Sequence, residues 1–410
     1  MASKKATSLS TDPYKGVRDF YPEEQAELNY ILSVWRSVCE KFGYQEYHAS
    51  ILEPTELYHG KTSEEIVNEQ TYNFKDRGDR DVTLRPEMTP SVARMVAAKR
   101  KELQFPLRWY SIPNVFRYER PQRGRLREHW QLNADLFGVS NLEAEVEIVS
   151  LAYSLMLQFG AEVDTFAIKV NSRRAVNELF ASYNLSPVQQ KQLRLLIDKK
   201  DKLKDFEAQV EALVGSPFSF PTTAPKDVVE IISKLKAIGI ENVLYDSSLM
   251  RGFDYYTGIV FEVFDTDPQN PRSLFGGGRY DELLSIFGVD PVPTVGIAMG
   301  DVTARDFLET HNLLPEPSSK TKLFLATLSS EFVPDAQRLG ATLRLKGLTV
   351  AVNLTDRKIG DQLKYADKLR IPHVIVIGAD EVGSGSYKLK ELKTGAEKTV
   401  TSEGIIEALA

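Results

Sequence analysis

The stretch Phe116-Arg117-Tyr118-Glu119-Arg120-Pro121-Gln122-Arg123-Gly124-Arg125-Leu126-Arg127 carries five arginines in a chain whose formal net charge is −6. Pro121 and Gly124 interrupt the run and prevent a regular helix. Because a guanidinium is permanently charged and its planar fork fits phosphate oxygens, such a segment suits a triphosphate or a nucleic-acid strand. On composition alone, a solvated basic loop is the simpler explanation.

A second segment far downstream changes that interpretation. It reads Arg251-Gly252-Phe253-Asp254-Tyr255-Tyr256-Thr257-Gly258 and precedes a strand-like run at 259–264. With three further motifs, the two segments resemble the histidyl-tRNA synthetases, a family of class II aminoacyl-tRNA synthetases, over nearly the whole chain. The three motifs are GVRDFYP at 16–22, TLRPEMT at 83–89 and GGGRYD at 276–281. Each motif alone is weak evidence, and the three glycines alone predict only a turn; all five in the family's order indicate the family.

Composition bounds the class of protein. Aliphatic, aromatic and other hydrophobic residues make up 42% of the 410 residues, enough for two or three domains with real cores. The single cysteine, Cys39, excludes an internal disulfide framework and a thiolate metal site, so we expect a buried thiol and a reducing compartment. Residues 1–13 lack an apolar signal and are expected to be disordered, and the predicted location is cytoplasmic.

Breaks in pattern predict the domain boundaries. Two prolines and two serines mark a linker at 313–320. Beyond it, apolar strands at 323–326 and 374–377 alternate with helical segments near 331–346 and 358–370, so 321–410 is predicted as an α/β domain. A charged, amphipathic texture without strand runs predicts a helical insertion at 169–240.

The remaining residues, 14–168 and 241–312, are predicted to form an α+β domain with a mostly antiparallel sheet flanked by helices. Neither a dinucleotide-binding glycine motif nor a P-loop occurs at a suitable place. The resemblance implies that this is a class II synthetase catalytic domain, that the insertion clamps the acceptor arm of tRNA and that 321–410 grips the anticodon stem. A purely structural helical pair explains the insertion nearly as well.

Residues 23–42 show the spacing of a long amphipathic helix. Its apolar stripe consists of Leu28, Ile31, Leu32, Trp35, Val38 and Cys39. The segment 51–58 reads as a strand end broken by Pro54. The resemblance implies that helix and strand form the interface of a homodimer, although proline at a strand end is otherwise an ordinary feature of an edge strand.

The implied reaction joins the carboxylate of histidine to the α-phosphate of ATP, expels pyrophosphate, and then passes histidine to the 3′ ribose hydroxyl of its tRNA. Negative charge gathers on the phosphorus, so catalysis depends on positioned cations and Mg²⁺ rather than on a protein nucleophile. By resemblance, Arg117 and Arg251 hold the α-phosphate and act as the catalytic residues. The alternative for Arg251 is an ion pair with Asp254 or another acid.

The resemblance assigns three more residues to ATP. Arg125 reaches toward the terminal phosphates, and Glu119 accepts from the adenine amine. His129 stands where an aromatic ring usually stacks on adenine; imidazole offers less stacking surface than phenylalanine, and His129 is alternatively a surface residue beside Trp130. No metal-ligand motif is found in the sequence.

The resemblance also supplies a histidine pocket and a tRNA contact. The histidine-binding residues are Glu87, Thr89, Gln131, Asp135, Arg251, Tyr255, Tyr256 and Tyr280. A pocket that hydrogen-bonds both imidazole nitrogens rejects analogues that lack them. Tyr255 and Tyr256 alternatively form an ordinary strand pair with one ring buried. Arg120 and Gln122 match positions that read the extra first base of tRNA for histidine.

One position departs from the family pattern. The third class II motif carries an arginine that touches the γ-phosphate, but Thr303 stands there. If a helix begins with Asp301 as its N-cap, Arg305 points to the far face and cannot substitute. The helix N-terminus, Arg125 or the metal ion is expected to supply part of the missing attraction.

Two other functional classes remain open. A histidine-sensing regulatory relative shares the catalytic fold but lacks catalytic residues and the C-terminal domain. A passive tRNA-binding protein would keep the basic surfaces without the activity. The retention of Arg117, Glu119, Arg125 and Arg251 favours the enzyme.

Overall fold

The computed structural model describes residues 9–59, 70–198, 200, 203–250 and 255–409. The chain divides into two compact units, Met1–Pro315 and Glu316–Ala410. Arg251, and residues 1–8 of the N-terminal segment predicted to be disordered, lie outside the described residues. No helix within the described ranges is long and apolar enough to cross a membrane.

The first unit contains the predicted α+β domain. Its strands are β1 (Gln45–Glu46), β2 (Leu52–Pro54), β3 (Tyr72–Lys75), β4 (Asp81–Leu84), β5 (Leu107–Ser111), β6 (Asn114–Phe116), β7 (Glu128–Phe137), β8 (Phe166–Ser172), β9 (Val243–Tyr245), β10 (Ile259–Asp265), β11 (Ser273–Arg279) and β12 (Thr294–Gly300). Its helices are α1 (Pro22–Lys41), α2 (Glu56–His59), α3 (Thr89–Lys99), α4 (Glu143–Gln158), α5 (Arg173–Ser182), α6 (Pro187–Asp198), α7 (Phe206–Val214), α8 (Lys226–Ala237) and α9 (Asp301–Thr310).

Nine strands of the described residues form the main sheet, in the order β1-β5-β7-β12-β11-β10-β8-β9, with β6 paired to β7. The central pairs are antiparallel, and only the two outermost pairs, β1 with β5 and β8 with β9, are parallel. The prediction of a mostly antiparallel sheet is confirmed. The glycines at 276–278 do not form a turn; they lie inside β11, between β10 and β12.

Helix α1 confirms the amphipathic pattern at 23–42. Pro22 occupies its first turn, where the missing N–H costs nothing. The helix buries its apolar stripe, including Trp35 and Cys39, in a core shared with α4 and one face of the main sheet. Burial raises the pKa of the Cys39 thiol, so this cysteine is a protonated core residue.

The region predicted as an insertion at 169–240 has two structural parts. Strand β8 runs through residue 172 and pairs with β10, so the predicted boundary falls inside a strand of the main sheet. Helix α8 packs Val228, Ile231 and Leu235 into the main core. Helices α5 to α7 instead build a separate apolar cluster around Phe180 and Leu193. The part with its own core is therefore narrower than the sequence pattern predicts.

The second unit consists of strands β13 (Leu323–Thr327), β14 (Val350–Val352), β15 (His373–Ile377), β16 (Tyr387–Glu391) and β17 (Glu397–Val400), with helices α10 (Val333–Leu345), α11 (Ile359–Lys368), α12 (Ala379–Ser384) and α13 (Ser402–Leu409). Its sheet has the order β14-β13-β15-β16-β17, with parallel pairing among the first three strands. The predicted strands and both predicted helices of an α/β domain are present.

A buried ion pair ties the sheet to α4. Arg279, at the end of β11, donates through Nε and Nη2 to both carboxylate oxygens of Glu145, each at 2.6 Å. The two side chains are 4% and 2% exposed. Arg279 also donates to the carbonyls of Val139 and Asn141. The arginine of the GGGRYD motif thus has a structural role that its spacing did not reveal.

Arg279→Met is expected to lower the free energy of unfolding of the first unit by roughly 3–5 kcal/mol, because it leaves the Glu145 carboxylate buried and unpaired. Thermal or urea unfolding measures the change. Lys75→Ala is the matched control, since Lys75 pairs with Asp79 at the surface, where the two side chains are 58% and 86% exposed. A loss for Arg279→Met no larger than that of the control would contradict the structural role.

Candidate active site

A cavity of about 290 Å³ opens on the main sheet. Every predicted ATP- or histidine-binding residue that the structure describes lines it: Glu87, Thr89, Arg117, Glu119, Arg125, His129, Gln131, Asp135, Tyr255, Tyr256 and Tyr280. These side chains come from well-separated parts of the chain, and the antiparallel sheet brings them together. Neither Arg120 nor Gln122 lines this cavity, and Arg251 lies outside the described residues.

Strand β7 supplies one wall through its period of two. Successive side chains of a strand point to opposite faces, so His129, Gln131, Asn133 and Asp135 all face the cavity. Asn133 belongs to this row, although the sequence analysis did not single it out. The alternation along 129–135 is the signal that could have identified it.

The neighbouring strands contribute small residues that leave the cavity open. In the register of β12 with β7, Gly296 lies opposite Asp135 and Ala298 lies opposite Asn133. In β11, Gly276 lies between Ala298 and Glu262 of β10. Glu262 therefore faces the cavity across a row of small residues, and it too was missed by the sequence analysis.

Gly296 has no room for a side chain. A Cβ atom at this position would lie 2.1 Å from Asp135 Oδ1 and 3.1 Å from the Tyr280 hydroxyl. The glycine thus allows the Asp135 carboxylate and Tyr280 to meet over the sheet.

Gly296→Ala is expected to displace Asp135 and to destabilise the first unit by roughly 1–3 kcal/mol through overpacking. The KM for histidine, the ligand that the resemblance implies for Asp135, is expected to rise about tenfold or more. Steady-state kinetics and thermal unfolding measure both effects. Gly360→Ala is the control, because a Cβ there meets nothing within 4 Å. An unchanged histidine KM in Gly296→Ala would show that Asp135 need not hold this position.

A buried carboxylate and three tyrosines form one end of the cavity. The Tyr280 hydroxyl donates to Asp135 Oδ1, and burial raises the pKa of Asp135 to about 7 although this hydrogen bond opposes the rise. The rings of Tyr255 and Tyr256 lie 4.9 Å apart, and Tyr280 lies 5.4 Å from Tyr255. Both Tyr255 and Tyr256 are buried, so the alternative of a strand pair with a single buried ring is wrong.

Charged side chains form the other end. Arg117 Nε donates a hydrogen bond to the carbonyl of Pro86 at 2.8 Å. This bond holds the Nε side of the guanidinium in place. Arg125 Nε lies 3.5 Å from Glu119 Oε2, and Arg125 is about half exposed while Glu119 is 11% exposed. The arrangement offers one cation held by the backbone, Arg117, and a second, half-exposed cation, Arg125, beside the Glu119 carboxylate.

The arginine stretch at 116–127 forms a hairpin, and its arginines make different contacts. Gln122 and Arg125 exchange backbone hydrogen bonds at its tip. Arg127 lies over the ring of Tyr118 at 3.9 Å and donates to the carbonyl of Glu119 and the hydroxyl of Tyr14. Arg127 therefore braces the hairpin against the N-terminal segment rather than facing the cavity.

His129 is not the surface residue that one alternative proposed. It lines the cavity, and burial, with the guanidiniums of Arg117 and Arg18, lowers the pKa of its imidazole to about 3. A neutral, flat ring at this position presents a stacking surface without adding positive charge.

Comparisons with known proteins show the family of this chain. The family model for histidyl-tRNA synthetase matches residues 16–216 and 219–301. The chain belongs to the histidyl-tRNA synthetase family. A model for an anticodon binding domain matches residues 322–410. A histidine–tRNA ligase of Leptospira biflexa is 41% identical over 95% of this chain and 94% of its own length.

Solved structures of family members share the fold. The apo histidyl-tRNA synthetase of S. aureus superimposes with a TM-score of 0.75, at 25% identity, covering 98% of this chain and 100% of that one. The enzyme of Nostoc sp. PCC 7120 gives a TM-score of 0.77 at 22% identity, with 97% and 99% of the two chains covered. The antiparallel sheet with an appended C-terminal unit is therefore the fold of this family.

Helix α9 carries the departure from the family's third motif. Strand β12 extends through Gly300, so Asp301 is the first helical residue and not the N-cap that the sequence predicted. Its buried carboxylate accepts from the backbone N–H of Trp130 at 2.8 Å and from Arg18 at 2.6 Å. Arg305 pairs with Glu27 of α1 at 2.9 Å, on the far side from the cavity, as predicted.

Thr303 itself lines the cavity. Its hydroxyl donates to the carbonyl of Leu274 at 2.6 Å. The position where the family pattern has an arginine is thus filled by a short side chain that is bonded to the sheet.

Proposed function

We propose that this cavity is where the chain joins L-histidine to tRNA for histidine, at the expense of ATP and through a histidyl-adenylate. The observation that carries the proposal is the meeting of two chemically different ends in one cavity. Arg117, Glu119 and Arg125 suit a nucleotide at one end, and Asp135 with its tyrosines suits an amino acid at the other. Membership of the histidyl-tRNA synthetase family supports both assignments.

In the first step, a carboxylate oxygen of histidine attacks the α-phosphorus of ATP. The bond between the α-phosphorus and the bridging oxygen breaks, and pyrophosphate leaves with that electron pair. Both reactants are anions, so a cation fixed in advance lowers the barrier by stabilising charge that develops at the phosphorus. Arg117 suits this task because its hydrogen bond to Pro86 holds it in place before ATP arrives. Arg251 is proposed as its partner on sequence grounds.

The amino-acid end favours histidine through polar and aromatic groups. We assign the ammonium group of histidine to Asp135 and its neighbours Glu87, Thr89 and Gln131, and the imidazole to the walls formed by Tyr255, Tyr256 and Tyr280. A smaller or purely apolar side chain would leave buried polar groups unpaired, which discriminates against it on the order of 10⁴-fold. The pKa of about 7 for Asp135 would fall once an ammonium group binds beside it.

The nucleotide end recognises adenine through Glu119 and His129. The Glu119 carboxylate accepts from the exocyclic amine, and the neutral imidazole of His129 stacks on the base. Arg125 pairs with Glu119 only loosely, so its guanidinium is free to turn toward the phosphates when ATP binds.

Mg²⁺ is the expected metal cofactor. The described residues contain no group of three or more acidic, histidine or cysteine side chains that could hold a metal ion by themselves. Magnesium usually binds one or two carboxylates together with nucleotide phosphates, and Glu262 provides such a carboxylate in the cavity wall. Bound there with ATP, the ion would neutralise phosphate charge.

Three further assignments extend the proposal to tRNA. Exposed Arg120 and Gln122 at the hairpin are proposed to read the first base of tRNA for histidine. The helices of the inserted segment, predicted at 169–240, are proposed to hold the acceptor arm, and the second unit to hold the anticodon stem.

The chain is proposed to act as a cytoplasmic homodimer. The general base of the transfer step is not assigned.

Histidine-dependent exchange of radioactive pyrophosphate into ATP tests the proposed function. The purified protein is expected to catalyse the exchange with histidine and not with other amino acids, and then to charge tRNA for histidine. A histidine sensor or a passive tRNA-binding protein would show no exchange. Absence of exchange in folded protein that binds histidine would therefore refute the enzymatic assignment.

A further inference from the structure

A second cavity of about 330 Å³ adjoins the first one. Gly124, Ser273, Leu274 and Thr303 line both of them. We call it the side cavity; its remaining lining comes from Gln122, Arg123, Gln269, Asn270, Pro271, Arg272 and Asp306. The side cavity lies beside Thr303, which stands where the family motif has an arginine.

Arg272 is the distinctive cation of the side cavity. It directly precedes β11, and its guanidinium donates to Gln122 Oε1 at 3.2 Å and to the carbonyl of Arg123 at 3.4 Å. Both acceptors, an amide oxygen and a backbone carbonyl oxygen, are neutral. The side chain is therefore oriented by the hairpin while its positive charge remains uncompensated by these contacts.

The side cavity has one further cation and one acid among its lining residues. Arg123 supplies a second guanidinium. Asp306 is the acid in the lining, and burial raises the pKa of its carboxyl while Arg123 opposes the rise. Helix α9 contributes Thr303 and Asp306 to the side cavity, whereas its N-cap Gly300 and Val302 line the first cavity.

We propose that Arg272 replaces the missing motif arginine, and that the terminal phosphates of ATP extend past Thr303 into the side cavity. This inference rests on the proposed function. Thr303 is shorter than an arginine and lines both cavities. Arg272, which directly precedes β11, supplies a guanidinium to the side cavity instead. The anion bound there is the β,γ-diphosphate of ATP before the α–β bond breaks and pyrophosphate afterwards.

Arg272→Ala tests this role in the full-length protein by pyrophosphate exchange and nucleotide binding. Loss of a charge-assisted contact to phosphate is expected to raise the KM for both ATP and pyrophosphate by about tenfold or more. The affinity for AMP and the KM for histidine should not change, because neither ligand reaches the side cavity. Arg77→Ala is the control, since Arg77 is an exposed arginine of the same unit outside both cavities.

A second variant makes the test specific. Adding Thr303→Arg to Arg272→Ala should recover most of the lost affinity for ATP, because it restores a guanidinium at the motif position. Arg272→Ala with unchanged ATP and pyrophosphate KM overturns the inference, and so does an effect on the KM for tRNA alone. Because exchange activity of the unmodified protein is measured first, its absence would point to failure of the proposed function instead.

Discussion

Arg117→Ala is expected to slow histidine-dependent pyrophosphate exchange by about 10²- to 10³-fold, the usual cost of removing one fixed group that stabilises transition-state charge. The side chain lines the cavity and is held at Nε by the carbonyl of Pro86. Most of the loss should appear in kcat, because a charge that develops in the transition state is weaker in the bound substrates.

Arg117→Lys is the informative companion. It keeps one positive charge but cannot bond Pro86 and the phosphate through a planar fork. We expect partial activity, between that of the unmodified protein and that of Arg117→Ala. Equal activity of all three proteins, with unchanged thermal unfolding, would remove Arg117 from the mechanism.

Asp135→Asn is expected to lower kcat/KM for histidine by roughly ten- to a hundredfold, because a charged acceptor for the ammonium group becomes neutral. The same substitution should stabilise the protein. Asp135 is 3% exposed, and burial raises its pKa from 3.8 to about 7, so ionising it in the folded state costs free energy. Asparagine keeps an oxygen that accepts from Tyr280 without that cost.

The pH dependence follows from the direction of the pKa shift. Folded Asp135 holds its proton up to about pH 7, whereas the unfolded chain releases it near pH 4. Over this range the folded state binds more protons, so the contribution of Asp135 to stability falls as the pH rises. The stabilisation by Asp135→Asn should therefore be small at pH 4, grow to the order of a few kcal/mol at pH 7 and remain constant above it. Unfolding curves at pH 4, 6 and 8 measure it; stabilisation that does not depend on pH would contradict the raised pKa.

Parts of this molecule with a strong side-chain pattern could be predicted from sequence. The apolar stripe of α1 specifies which side of the helix is buried. The alternation of side chains in β7 specifies which residues between His129 and Asp135 share one face of the sheet. Both could therefore be predicted from periodicity. The motifs pointed to residues that the fold brings to one cavity, because arginine, glutamate and tyrosine occur in them in the family's order. The roles proposed for those residues remain predictions.

Other features depend on long-range packing that no local pattern records. Glycines have no side chains to alternate, so 276–278 resembled a turn although neighbouring strands hold them inside β11. The N-cap of α9 is Gly300 and not Asp301, because β12 extends by pairing with β7 through Gly300. Helix α8 resembles the inserted helices in sequence, but its apolar face packs on the main core. Arg272 lies in no motif, and only the fold brings it beside Thr303.

The most direct test is a crystal structure of the full chain with a non-hydrolysable analogue of histidyl-adenylate. We predict that the group replacing the phosphate lies within hydrogen-bond distance of the Arg117 guanidinium, roughly 2.7–3.2 Å. The ammonium group should contact Asp135, and the imidazole should lie among the three tyrosines. An analogue bound outside this cavity, or an Arg117 turned away from the phosphate position, would contradict the proposal that one cavity unites nucleotide and amino acid.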